Sequence, residues 1–236
     1  MEQKYSSHSI ITGAILALGI VAGCWVLGNA LVGFKAMDRY VSVKGLAERE
    51  VPADLAMWPI SFSAAADTLP ELDEALAQSR AQIMIFLKAQ GLGDAEIMNA
   101  APLIQDNQMN MPNQRPAQRY TAQAVLTVRS KDIPTVKKGM SAAGELVSLG
   151  VMLVQNWEFR PTFTFTGLNA IKPDMIAEAT RNARDAAKQF AEDSGSRVGN
   201  IRRASQGYFS LEDRDQYTPE IKQIRVVTNV DYFLED

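Results

Sequence analysis

Two sets of charged side chains stand at spacings that chemistry could use. Glu48, Arg49, Glu50 and Asp54 put carboxylates and a cation into one turn region, a composition able to support acid/base work if a fold closed it into a cleft. Left in water, the same residues are a solvated turn, and nothing in their spacing supplies the cleft. Arg197, Arg202 and Arg203 suit an anion clamp near the start of a strand, and equally a row of cations on an exposed strand face. The only histidine is His8 and the only cysteine Cys24. Everything after residue 35 therefore lacks imidazole and thiol, which excludes zinc sites of the N/S type, Ser-His-Asp and Cys-His nucleophiles, and disulfides. No catalytic, cofactor-binding or metal-binding residue is assigned, and the chain is not read as an enzyme.

His8 and Cys24 are set apart by a stretch that must be explained first. Residues 10–34 carry no charged side chain. As a helix rising about 1.5 Å per residue, they exceed the roughly 30 Å of a bilayer's hydrocarbon core. The stretch is too long for a signal-peptide core, and bulky Phe34 stands where cleavage wants small residues. Val21-Ala22-Gly23-Cys24 resembles a lipobox, which would make Cys24 an acylation site, but residues 25–34 stay apolar. The chain thus divides into a short tail (1–9), a transmembrane anchor (10–34) whose partner is the lipid bilayer, and a domain over 40–236. Gly19 and Gly23 would let two such helices approach closely, or are glycines of the sort membrane helices commonly hold. Lys4 before the span against Lys35, Arg39 and Lys44 after it favours a cytoplasmic C-terminus, although long domains cross largely regardless of such charges.

The domain is long enough for a proper core. A formal net charge of −3, with no basic stripe interleaved with aromatics, argues against nucleic acid as a partner. Hydrophobic periodicity predicts an α+β order of ββαββαβαββ. Tyr40–Gly45 alternates as a strand, and Ala56, Trp58, Ile60 and Phe62 mark a second, with Pro59 pointing to an edge or a bulge. Thr68 and Glu71 form a capping box with Pro70 in the first turn, and Leu72, Leu76, Ile83, Phe86 and Leu87 share one helix face up to Gly91. Strands near 97–104 and 120–129 follow. Asp132 caps a second helix with Ile133, Val136, Met140 and Val147 on its face. Val151, Leu153, Trp157 and Phe159 read as one strand face. Pro173 opens a long helix with Ile176, Ala179, Ala183, Ala187 and Phe190 inward, and strands 201–208 and 224–234 close the chain.

A shift of 104 positions lays Gly91 on Gly195, Ile97 on Ile201 and Tyr120 on Ile224, which implies two related halves or a chance alignment of two ordinary helix-and-hairpin units. It also pairs two polar arms, 105–119 and 209–223, of the kind that carries binding residues or is simply solvated.

Gly45-Leu46-Ala47-Glu48 followed by Val51-Pro52-Ala53-Asp54, after a Val-rich strand, resembles the opening of SIMPL-domain proteins. Ala179, Ala183, Ala187 and Ala191, then Gly195, Val198-Gly199 and Ile201, resemble that family's second signature. The resemblance covers the region from Tyr40 to Asp236. It implies an envelope protein of oxidative-stress defence, without established catalysis, some of whose relatives form ring-like homo-oligomers. It also implies a single-pass inner-membrane protein with a periplasmic C-terminal domain, against the charge count. Residue by residue, Gly45 reads as a bend or positive φ at a strand end, Asp54 as a turn cap on neighbouring amides, and Gly195 and Gly199 as the passage from helix to strand. The function expected is an oligomeric assembly or interaction module, the alternative a small-molecule or peptide-binding envelope domain.

Overall fold

The structure, a computed structural model, describes residues 3–36, 39–93, 95–110 and 117–235, the side chains of 3–11, 29–36 and 110 excepted. Its elements run α1 (Gln3–Ala36), β1 (Tyr40–Pro52), β2 (Leu55–Ala66), α2 (Leu69–Ala89), β3 (Glu96–Asn99), β4 (Leu103–Asp106), α3 (Asn107–Asn110), β5 (Tyr120–Ser130), α4 (Ile133–Ala142), α5 (Glu145–Ser148) and β6 (Met152–Leu153). A 3-10 turn (Trp157–Phe159), β7 (Thr162–Thr164), α6 (Leu168–Asp193), β8 (Arg197–Gln206), β9 (Ser210–Asp213) and β10 (Ile221–Glu235) complete it. The described chain is a mixed α+β fold with six helices and two antiparallel sheets. The short β7 and β9 escape the sequence reading, because segments of three or four residues hold too few side chains to show a period.

Helix α1 includes the stretch 10–34, of which the side chains at 10–11 and 29–34 lie outside the described residues, as does that of His8. Within 12–28, Ile15, Leu16, Leu18, Ile20, Val21, Trp25, Val26 and Leu27 are all exposed. Among the described residues no helix is long and apolar enough to cross a membrane.

The chain forms two compact units, one of residues 1–47, 174–209 and 226–236, the other of 48–173 and 210–225. In the second, β2 is central. It pairs with β5 from Ala56↔Ser130 to Ala66↔Tyr120, and on its other side with β6 and β7. The even-numbered residues of β2, among them Trp58, Ile60 and Phe62, and Ala122, Ala124, Leu126 and Val128 of β5 are buried in one core with Leu72, Leu76, Ile83, Phe86 and Leu87 of α2. The capping box starts α2 as expected, with Thr68 and Glu71 each accepting the other's backbone N–H.

The first unit orders its strands β1-β10-β8, with Val43, Ala183, Ala187, Val230 and Tyr232 in its core. The buried stripe of α6 is Met175, Ala179, Ala183, Ala187 and Ala191. Phe190, expected inward, is exposed, and so are Val147 and Trp157. Trp157 lies in the 3-10 turn rather than on a strand, and Val147 yields its place to buried Leu146 because α4 ends at Ala142 and α5 restarts the helical phase. Pro173 lies inside α6, not at its start, since its fixed φ is a helical one and only one intrahelical bond is lost.

The 104-position shift carries over to hydrogen bonding. Leu92 N–H donates to Leu87 C=O at 2.8 Å, and Ser196 N–H to Ala191 C=O at 2.8 Å, each closing a helix around a glycine at positive φ, +85° at Gly91 and +69° at Gly195. The strand pair Ile97↔Val128 likewise maps onto Ile201↔Tyr232.

Candidate functional site

The carboxylates near residue 50 are dispersed rather than gathered. Glu48 pairs with Arg225 at 3.4 Å, Glu50 with Arg214 at 3.4 Å. Asp54 does not cap neighbouring amides. It accepts the N–H and the hydroxyl of Thr166, both at 2.8 Å, and so ties the β1–β2 turn to the segment before α6. Each carboxylate thus has a partner, leaving no acid/base pair around a substrate space. Among the described residues no group of three or more His, Cys, Asp or Glu side chains could hold a metal ion. Arg202 lies over the Tyr40 ring, 4.1 Å from its centre, and Arg203 stands in register opposite Asp231. The three arginines are thus distributed along β8 rather than converging on an anion.

The described parts of the arms are held by specific bonds. In the first, residues 111–116 lie outside the described residues, but its base is clamped. Arg119 bonds Asp106 at 3.1 Å, while Asn107 donates to Gln118 C=O at 3.1 Å and to the Thr121 hydroxyl at 2.8 Å. Burial pulls the Asp106 carboxyl up, but the bond and charge of Arg119 together with the backbone N–H groups of Gln108 and Met109 outweigh it, leaving the group below its ordinary value. The second arm is a hairpin, β9 against the start of β10. At its tip Asp215 takes N–H bonds from Tyr217 and Thr218, both 2.8 Å. The Thr218 hydroxyl first, then Arg214, hold the Asp215 carboxyl down to about 2.

The two sequence signatures meet in space. No bend or positive φ occurs at Gly45. It lies inside β1, where a Cβ would stand 1.8 Å from the Ala179 carbonyl oxygen and 2.6 Å from the Ala183 amide nitrogen. Glycine on the strand and alanine on the helix are therefore two halves of one close approach. Asn182 Nδ2 secures it by donating to Leu46 C=O at 2.8 Å. A family profile, SIMPL, a protein of unknown function (DUF541), matches residues 41–230. The chain belongs to the SIMPL family. No curated protein matches it significantly.

This SIMPL chain also holds a feature the sequence hinted at and misplaced. Pro59 is on the central strand, not at an edge. On the side away from β5, β7 pairs with Leu55–Met57 and β6 with Phe62–Ser63, and Val154 N–H reaches Ser61 C=O at 2.8 Å. Alternate residues of a strand aim their backbone groups at the same neighbour, so Pro59, two before Ser61, faces this side with no N–H to offer. Between β6 and β7 the chain departs through the 3-10 turn and leaves the sheet open. Cavities of about 490 Å³ and about 710 Å³ flank the opening, and Pro59, Asn156, Phe159 and Arg160 line both. Trp58, Ile60 and Phe62 are buried, on a strand that is paired on both sides and is no sheet edge. The sequence signal for the opening was a proline amid strict alternation.

Proposed function

We propose that this SIMPL protein is a membrane-anchored envelope module that assembles with copies of itself. The observation that carries this reading is the state of β8. Among the described residues it pairs with β10 alone, and eight of its ten residues are exposed, Ile201 among them. Such a strand presents a row of unpaired backbone groups to another chain. Anchoring is supported by the uncharged stretch 10–34 and by the exposed apolar side chains described within 12–28 of α1, the pattern of a helix that lipid or protein must cover. A single span per chain, with the C-terminal domain on the periplasmic side of an inner membrane, would hold subunits in one plane and raise their effective concentration. The link to oxidative-stress defence comes with the family resemblance and rests on no residue of this chain.

Proline on the edge strand tests the assembly. Gly207 N–H donates to Val227 C=O, and the register Ser205↔Asn229, Ala204↔Val230 then turns the Ala204 N–H outward, away from β10. Ala204→Pro removes that outward donor and spares the ladder. The full-length variant in detergent should keep its far-UV circular dichroism and lose oligomer mass. An unchanged mass would remove the edge from the mechanism.

A further inference from the structure

We propose that the smaller cavity at the Pro59 opening binds a small carboxylate with an aromatic or apolar body. Trp58, Ile60, Trp157 and Phe159 contribute to its wall, and its volume of about 490 Å³ falls in the range of small-ligand sites. Arg160 is the one charged side chain among its lining residues, whereas the larger cavity adds Glu158 to the same arginine and is electrically balanced. A planar guanidinium matches a carboxylate in a two-point bond, and its place over the Trp157 ring holds it at the cavity. Asn156 accepts the Glu158 N–H through Oδ1 at 3.2 Å, so its amide NH₂ is a second donor at the same rim. A peptide added as a strand is disfavoured. The opening exposes only Trp58–Ile60 of β2, roughly 10 Å of strand, and its central residue has no N–H. The occupant is therefore a compact molecule whose body packs on the aromatic wall and whose anion meets Arg160. This binding lies in the 48–173 segment and is independent of assembly through β8.

Isothermal titration of the full-length protein in detergent with 2-naphthylacetate tests it, with 2-naphthylacetamide as the uncharged isostere. The carboxylate should bind with a one-to-one stoichiometry, and the amide roughly tenfold or more weaker, the effect of a lost charge-assisted pair. Arg160→Gln should lower carboxylate affinity to that of the amide. Arg129→Gln, an arginine paired with Glu96 and absent from the cavity lining, should leave it unchanged. Micelle partitioning is common to all variants and cancels in their differences. No saturable binding, equal binding of acid and amide, or an Arg160→Gln variant with wild-type affinity would each overturn the assignment.

Discussion

Gly45→Ala puts the meeting of the two signatures to a quantitative test. The added Cβ would lie 1.8 Å from the Ala179 carbonyl oxygen, 2.6 Å from the Ala183 nitrogen and 2.8 Å from the Ala179 carbonyl carbon. Non-bonded heavy atoms settle at roughly 3.5 Å, so strand and helix would have to part by roughly 1.7 Å. All three obstructing atoms are backbone, and no rotamer change relieves the clash. Parting the elements also loosens the packing of Ala179 and Ala183 and stretches the Asn182–Leu46 bond. Overpacking ordinarily costs about 1–3 kcal/mol, and an unyielding site belongs at about 3 kcal/mol. For a domain of this size that lowers Tm by about 6–12 °C. Gly144→Ala is the matched control, because Gly144 has φ −57° and nothing within 4 Å of a new Cβ. It should be neutral or gain up to about 1 kcal/mol. Thermal melts of both full-length variants, followed by far-UV circular dichroism, read the difference. A Gly45→Ala melt within about 2 °C of wild type would refute the close approach.

Three smaller perturbations probe other joints. Thr68→Ala removes half of the capping box on α2 and should cost about 1 kcal/mol, read by urea denaturation, with a cost near zero showing that the box contributes nothing. Asp54→Ala loses both bonds to Thr166 and should destabilise by about 1 kcal/mol; Thr166→Ala should cost less, since its N–H bond survives, and the reverse order would contradict the assignment. Asp215 titrates at about 2 in the folded chain, below the unfolded value of about 3.9, so its contribution is present above about pH 4 and lost as pH falls toward 2. Thr218→Val deletes the largest cause, and an NMR titration should find the Asp215 carboxyl pKa raised; an unmoved value would show that Thr218 does not hold it.

What the sequence made legible was local. The α2 cap and its five buried residues follow from neighbours within one turn or one helix face. The 104-position shift survived into hydrogen bonding because helix closure around Gly91 and Gly195 is also local. The partners of Asp54 and Gly45 were hidden, since Thr166 and Ala179 lie more than a hundred residues away and no period encodes them. The same remoteness misassigned the stripe of α6. Periodicity favours the large Phe190, yet a helix pressed against a glycine strand selects small Ala191. Pro59 points in the sequence to an edge or a bulge, whereas one side of β2 remains fully paired with β5 and only the other opens. Of the candidate site, the partners of Glu48 and Glu50 at Arg225 and Arg214 lie too far along the chain for spacing to show them, and the cavity depends on the 3-10 turn, which no period marks.

The native mass of the full-length chain in detergent bears most directly on the function proposed. Assembly through β8 predicts a discrete species at a fixed multiple of 25.9 kDa, which Ala204→Pro reduces. A wild-type protein that remains at one chain per micelle at tens of micromolar concentration would contradict it.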